Sequence, residues 1–424
     1  MKKFISLFLV FIFLFSLMAC NDTSTTNDPD QTTTAQTTTQ TTAQTTDNNG
    51  GNSSTGQGKI KIGATGPLTG PAAIYGVTVN NSVKLAIDQI NAIAMNEGEL
   101  GMKLDFLMVD DVHDATKIPN AFSQLMQAGM QISLGTVTSR PGLEFKSLSD
   151  QYNVFFLTPS ATADEIVEFS NGYQMCFSDS NQGTAAAKYF NENCADKKIG
   201  IFYKADLEYS VGITNEFKAA LSDSLKANII EASFTGYTSS FYSQIDALKD
   251  CDIVFMPVYY TEASYFMSQA NLVDNSITAY YGCDGFDGID LIDGFNINYI
   301  PQEICRFSQV DINVTEGAAK DFVDAYVTAY GEAPNEFGAA AYDSVWAIYE
   351  ALKVAKSKGA DISPTTSASD MCEILKGVFS DDSFVFHGIT GKPEADGRSN
   401  ISWNSDGTVS KEAVKVIIKE KTVG

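Results

Sequence analysis

Eight short runs rich in β-branched and aromatic residues alternate with helix-like segments, and this alternation constrains the fold more than any other feature of the chain. They lie at Lys59 to Gly66, Lys103 to Asp110, Gln131 to Val137 and Val154 to Ser160, then at Lys198 to Lys204, Ile229 to Gly236, Asp252 to Val258 and Ile277 to Cys283. Each has the length and composition of a strand. Between them, Val79, Val83, Ala86, Ile87 and Ile90 form one apolar helical face, and Phe217, Ala220, Leu221 and Leu225 form another. Strand alternating with helix predicts an α/β fold whose parallel sheets are covered on both faces. A break near Met175 to Asn181 splits the series, which predicts two doubly wound parallel-sheet lobes joined by a hinge. Helical patterns at about Thr315 to Tyr330 and Ala339 to Ser357 complete one of them. The expected division is 59–180 plus about 309–390 for lobe 1, and 181–308 plus about 391–424 for lobe 2. The residues after Gly58 are too many for one ordinary core and suit two domains of roughly 150 to 200 residues each.

The N-terminus carries an address. Lys2 and Lys3 precede a run from Phe4 to Met18 that is apolar apart from Ser6 and Ser16. A spanning helix needs roughly 20 apolar residues, so the run reads as a secretory signal. It ends in Leu17-Met18-Ala19-Cys20, which resembles the lipobox of bacterial lipoproteins and implies lipidation of Cys20. A cleaved signal with an incidental cysteine, or a short uncleaved anchor, are the alternatives; all three place the rest of the chain outside the cytoplasm. From Asn21 to about Gly58 the chain is almost entirely Thr, Gln, Asn, Asp, Ser and Gly, with no Lys, Arg, aromatic or large aliphatic residue. Such a segment cannot bury enough apolar surface to offset its ordering entropy, so it is expected to be a disordered tether. Fully extended it would reach roughly 120 Å.

A formal charge of −24 argues against nucleic acid or anionic lipid as a partner of the folded part, since both demand clustered Lys and Arg. Membrane contact is expected through the anchor. Besides Cys20 there are six cysteines, Cys176, Cys194, Cys251, Cys283, Cys305 and Cys372, none in a CxxC pair. Disulfides and free buried thiols both remain open. An enzyme reading finds little support. His113 and His387 are far apart and lack metal-ligand spacing, there is no GxSxG elbow, and Gly391-Lys392 is followed by Pro393 rather than the Ser or Thr of a phosphate loop. Asp284, Asp287, Asp290 and Asp293 first suggest calcium, yet they fall every third residue where an EF-hand needs alternate ones. Turn and helix-start acids explain the last three better. Neither metal nor cofactor is expected.

In open sheets of this kind ligands bind beyond the carboxyl ends of the strands. There the chain places Gly66 to Gly76, Thr138-Ser139-Arg140, and Thr158-Pro159-Ser160-Ala161-Thr162 in the first series. The second series contributes Asp206 to Tyr209, Tyr259-Tyr260 and Asp284-Gly285. Hydroxyls face tyrosines and a carboxylate, as in a two-sided clamp. Taken singly, Ser139 and Thr162 read as strand-end capping hydroxyls and the tyrosines as rim aromatics.

From Lys59 to the C-terminus the chain resembles the type I periplasmic solute-binding proteins, specifically the leucine/isoleucine/valine-binding group that serves ABC importers. The marks are Lys61-Ile62-Gly63 through Gly66-Pro67 and Tyr75-Gly76, Val109-Asp110-Asp111, Gly135 followed by Thr138-Ser139, Thr158 to Thr162, Gly183 with Ala185 to Tyr189, and Tyr209. The resemblance implies a monomeric, extracytoplasmic binder that closes two lobes around an amino acid, branched-chain or otherwise apolar, and docks on ABC permease subunits. It implies that Ser139 and Thr162 grip the ligand carboxylate. It gives the ammonium to the Thr162 hydroxyl, the Ser160 carbonyl and Asp284, with Tyr209 and Tyr259 reaching in and Tyr75, Val137 and Phe337 lining the side-chain pocket.

Three departures stand out. The family acid is commonly Glu where this chain has Asp284, one methylene shorter. His113 and Thr138 occupy positions where the best-known members place a disulfide. Arg140 could meet a second carboxylate and admit an acidic or larger ligand. Other solutes (an amide, nucleoside or peptide), a sensor role, and a surface hydrolase or adhesin remain as rival readings.

Overall fold

The computed structural model describes residues 58–419. The apolar leader, Cys20 with its expected lipid, and the tether as far as residue 57 lie outside the described residues.

Two sheets carry the fold. The first contains β1 (Lys59–Gly66), β2 (Lys103–Asp110), β3 (Ile132–Ser133), β4 (Phe156–Thr158) and β5 (Gly172–Gln174), all parallel, in the order β2-β1-β3-β4-β5. The second contains β6 (Ile199–Lys204), β7 (Ile229–Phe234), β8 (Ile253–Met256), β9 (Ala279–Gly282) and β10 (Glu303–Ser308). A hairpin follows, of β11 (Phe386–Gly388) and β12 (Ser399–Ile401), and β13 (Val414–Lys419) then joins the second sheet antiparallel to β10, giving the order β13-β10-β9-β8-β6-β7. Apart from β13 the two sheets repeat one topology. In each the order reverses beside the first strand, so each has a switch point where loops part and leave a crevice.

The strands alternate with helices: α1 (Ala73–Ile93), α2 (Ile118–Gln127) and α3 (Ser139–Tyr152) in the first series, and α4 (Asp179–Asn193), α5 (Glu208–Ala220), α6 (Asp223–Lys226), α7 (Tyr242–Leu248) and α8 (Tyr260–Ala270) in the second. Then come α9 (Ala318–Tyr330), α10 (Glu336–Ser357) and α11 (Ala368–Phe379). Helices on both faces bury the central strands along their length, as in β8 and β9, whereas the edge strand β2 alternates between buried and open positions.

All eight expected strand runs contain strands, with β1 and β2 matching end to end. Formal β3 is only two residues long, yet its pairing continues outward: Gln131 N donates to Lys61 O, Leu134 N to Gly63 O, and Thr65 N to Gly135 O, each at 2.8–2.9 Å. The expected helical face through Leu225 breaks at Leu221, because Asn191 on α4 captures the end of α5. Its amide accepts from Ser222 N at 2.8 Å and donates to Ala220 O at 3.1 Å. Leu221 and Leu225 stay buried on either side of the break. The hairpin β11–β12 and Trp403 belong with the first sheet rather than with residues 391–424 of lobe 2. Trp403 packs on Phe379 and Phe384 and donates from Nε1 to Gln174 O at 2.7 Å. The chain returns to the second sheet only after Lys411.

Three crossings join the lobes, near Met175, Gln309 and Lys411. Lys411 Nζ donates to Met175 O at 2.5 Å and to Gln309 Oε1 at 3.3 Å, so the crossings lie side by side. A continuous apolar cluster runs from the first sheet through Tyr75, Tyr260, Phe286 and Phe337 into the second, so the lobes are closed on one another. Beside the second crossing Arg306, 4% exposed, pairs with Asp287 and lies 3.5 Å from Glu336 Oε1. Glu336, at the start of α10, also accepts from Ser308 Oγ at 2.7 Å and from Gln309 N at 3.0 Å. Asp287 Oδ2 accepts from Glu336 N at 2.5 Å. Asp287 is thus a helix-start acid, as its sequence position implied, but it reaches its helix through space. Truncating Arg306 strands two buried carboxylates, and Arg306→Met is expected to lower the unfolding free energy by about 3–5 kcal/mol, read by urea denaturation.

Candidate functional site

The carboxyl ends of both sheets meet in the cleft between the lobes. Tyr75 enters from the first turn of α1, Val137 and Ser139 from the loop leading into α3, and Ser160 and Thr162 from the loop after β4. From the other side come Tyr209 at the start of α5, Tyr259 just before α8, and Asp284 after β9, while Phe337 opens α10. These nine residues line one small cavity, with only about 10 Å³ open to a water-sized sphere, together with Thr138 and Gly285, which sequence reasoning did not single out as site residues. That is below the roughly 300–1,000 Å³ of pockets for drug-sized ligands. In this closed arrangement there is room for about one water, so taking up an amino acid requires the lobes to part.

Polar groups in the wall are already oriented. Tyr209 Oη donates to Asp284 Oδ1 at 2.8 Å and accepts from Gly285 N at 3.0 Å, so the tyrosine fixes the carboxylate against its own loop. Gln182 Oε1 accepts from Asp284 N at 3.2 Å. Ser160 Oγ donates to Val137 O at 2.7 Å and Ser139 Oγ accepts from Ala163 N at 3.3 Å, tying the two loops of the first lobe together. Ser139 is the first residue of α3, so it stands where backbone N–H groups and the helix dipole favour an anion. Burial raises the Asp284 carboxyl to about 7, opposed by the Tyr209, Gly285 and Gln182 hydrogen bonds and the Arg306 charge. The Tyr209 hydroxyl is pushed well up by burial and by Asp284.

The apolar part of the wall is aromatic. Tyr75 meets Phe337 edge-on with centroids 4.7 Å apart and Tyr259 at 5.6 Å, and Tyr209 leans on Tyr259 at 4.9 Å. Two hydrogen bonds cross the cleft here, from Tyr75 Oη to Gly285 O at 2.6 Å and from Tyr260 Oη to Pro71 O at 2.5 Å.

His113 and Thr138 do meet, through a hydrogen bond between Nδ1 and Oγ1 at 2.9 Å. Burial lowers the imidazole to about 4, with Lys204 and Arg140 adding to the shift, so the ring is neutral at pH 7. Arg140 faces away from the cavity. Its Nε lies 2.9 Å from Glu208 Oε2, in the first turn of α5, and its guanidinium also bonds Asp206 O. The carboxylate that Arg140 meets therefore belongs to the opposite lobe of the protein. Among the described residues, all six cysteines are buried and free, no three His, Cys, Asp or Glu side chains are placed to share a metal, and no helix is long and apolar enough to cross a membrane. A larger groove beside α10, lined by Tyr342, Trp346, Phe384 and Arg398, lacks this convergence of both lobes.

Residues 59–385 match the sequence profile described as periplasmic binding protein. A leucine-, isoleucine-, valine-, threonine- and alanine-binding protein of Pseudomonas aeruginosa is 30% identical over 218 residues, covering 50% of this chain and 57% of that protein. The match thus spans little more than half of that relative. A leucine binding protein of Thermotoga maritima shares the fold with a TM-score of 0.70 at 20% identity, covering 86% of this chain and 97% of that one. The branched-chain amino acid transporter substrate binding protein LivJ of Streptococcus pneumoniae, in complex with isoleucine, has a TM-score of 0.66 at 25% identity, covering 84% of this chain and all of that one. These relatives are named as solute binders rather than enzymes. The chain belongs to the periplasmic binding protein family, within which it resembles the Leu/Ile/Val-binding proteins.

Proposed function

We propose that this protein is the extracytoplasmic substrate-binding component of an ABC importer and carries one α-amino acid with an apolar side chain between its lobes. The observation that carries the reading is that Ser139 and Thr162 on one lobe and Asp284 on the other line a single cavity. Each end of a zwitterion loses water on closure and must find a charge-assisted partner. The ligand carboxylate meets Ser139 and the N-terminus of α3, with Thr162 beside it. The ammonium meets the Thr162 hydroxyl, Ser160 O and Asp284. Tyr209 and Tyr259 close over the amino acid, and Tyr75, Val137 and Phe337 surround its side chain. With Arg140 held by Glu208, the structure offers that cation to no second ligand carboxylate, which favours a neutral amino acid over an acidic one.

Because the two ends are satisfied by different lobes, the ligand binds the closed state more tightly and shifts the opening equilibrium toward it. The closed form then docks, as a monomer, on the permease. A lipid on Cys20 and the tether behind it keep the body near that permease.

Calorimetry and thermal shift against the twenty amino acids, then amides and nucleosides, test the reading; binding of an apolar amino acid is the expected result, and its absence overturns it. Asp284→Ala is expected to cost 2–5 kcal/mol or so, leaving an ammonium buried and unpaired. Since burial holds Asp284 near 7 and an ammonium needs the carboxylate, binding below that pH releases a proton. Affinity should therefore fall by up to about tenfold per unit as pH drops below 7 and level off above it. Asp284→Asn should flatten that profile, measured by titration between pH 5 and 8.

A further inference from the structure

Asp179 is a buried acid beside the cavity that the nine lining residues leave unexplained. It begins α4, at the first crossing between the lobes, and is 1% exposed. Among the described residues neither of its carboxylate oxygens is hydrogen-bonded. An acid in the first turn of a helix usually stands in solvent, where the macrodipole favours it modestly. One with both oxygens buried and unbonded is destabilising, so a fold that keeps it needs it for something else.

The surroundings of Asp179 show what that is. Its backbone N–H donates to Thr162 O at 2.8 Å, which locks it to the loop after β4. The Thr162 side chain also faces the Asp179 carboxyl and opposes the rise that burial imposes on it; Asp284, Asp164 and Glu165 push it further up. On the far side, a Cβ at Gly212 of α5 would stand 3.0 Å from Asp179 Oδ2, so this glycine gives the carboxylate its room. Asp179 and Asp284 both push the Tyr259 hydroxyl up, so both acids lie near it.

A threonine hydroxyl has one proton and two lone pairs. To accept a hydrogen bond from an ammonium it must aim its proton elsewhere, and the acceptor it faces is Asp179. We infer that Asp179 is a positioning residue for the ligand's amine: with ligand bound, its carboxyl takes the Thr162 O–H and turns the hydroxyl lone pairs into the cavity. The inference rests on the amino-acid reading and deepens it. The ligand must carry a protonated amine, and a carboxylic acid with the same side chain but no amine gains nothing from Asp179.

The test is calorimetry with whichever of the twenty amino acids binds tightest and with its des-amino counterpart, 4-methylpentanoate in the case of leucine. Asp179→Leu is expected to weaken the amino acid at least tenfold and Asp179→Asn, whose amide oxygen still accepts a hydrogen bond, less, while affinity for the des-amino acid stays within about twofold. In a Thr162→Val background, Asp179→Leu should make no further difference, because its effect passes through that hydroxyl. The melting temperature of Asp179→Asn should match or exceed that of the parent, since a buried acid without a hydrogen-bond partner has been replaced by a group that cannot ionise. Equal losses for both ligands, no loss, or a full effect in the Thr162→Val background would each overturn the inference and leave the amino-acid reading intact. If the parent binds no amino acid, both fall together.

Discussion

A guanidinium buried between two carboxylates holds the hinge together. Arg306 sits at the end of the second sheet, Asp287 in the loop that follows the site acid, and Glu336 at the start of the longest helix of the first lobe. Burying such groups is costly unless every charge is matched and the remaining lone pairs are satisfied. Ser308 Oγ and the Gln309 backbone serve Glu336 Oε2 and the Glu336 backbone serves Asp287, which leaves the cluster a narrow range of arrangements even though Glu336 Oε1 and Arg306 Nε, 3.5 Å apart, make no hydrogen bond. That specificity has a consequence three residues upstream of Asp287. Asp284 is carried on the same loop, and Phe337 follows Glu336 directly, so the ion pair sets the placement of both a polar and an apolar wall of the cavity.

The site itself is electrostatically one-sided. Asp284 and Asp179 are both buried, burial raises both, and the basic residue nearest in sequence to the first-lobe hydroxyls, Arg140, is tied to Glu208. An arrangement like this disfavours an anion deep in the cavity and rewards a cation there, while the N-terminus of α3 offers the opposite preference a short distance away. A zwitterion satisfies both. The cross-cleft bonds of Tyr75 and Tyr260 end on backbone carbonyls, so closure is guided by groups whose positions do not depend on side-chain rotamers.

Much of this was legible in the sequence. The two central strands of each lobe, the helices α1, α9 and α10, and the nine cavity residues all follow from apolar periodicity, strand-end position and family resemblance. What escaped did so for identifiable reasons. Arg306 interrupts the apolar run of β10, so a strand that needs a buried ion pair did not read as one. β13 pairs with a strand more than a hundred residues away and has no local signal beyond its valines and isoleucines. Asp179 heads a polar stretch, Asp179-Ser180-Asn181-Gln182, that reads as an ordinary helix start; only the burial of both its oxygens marks it out. Arg140 looked like a ligand contact because its neighbour Ser139 is in the wall, but consecutive residues in the first turn of a helix point about 100° apart.

By itself, the sequence determined the class of fold, the division into two wound sheets and the chemistry available at the strand ends, because these depend on local propensity and on short-range periodicity. Tertiary structure alone decided which of those groups face one another: the pairing of Arg140 with Glu208, the hydrogen bond that joins His113 to Thr138, the return of the chain into the second lobe after Lys411, and the enclosure of Asp179. Each brings together residues far apart in the chain, and the energy of such contacts depends on desolvation and geometry that no local pattern records.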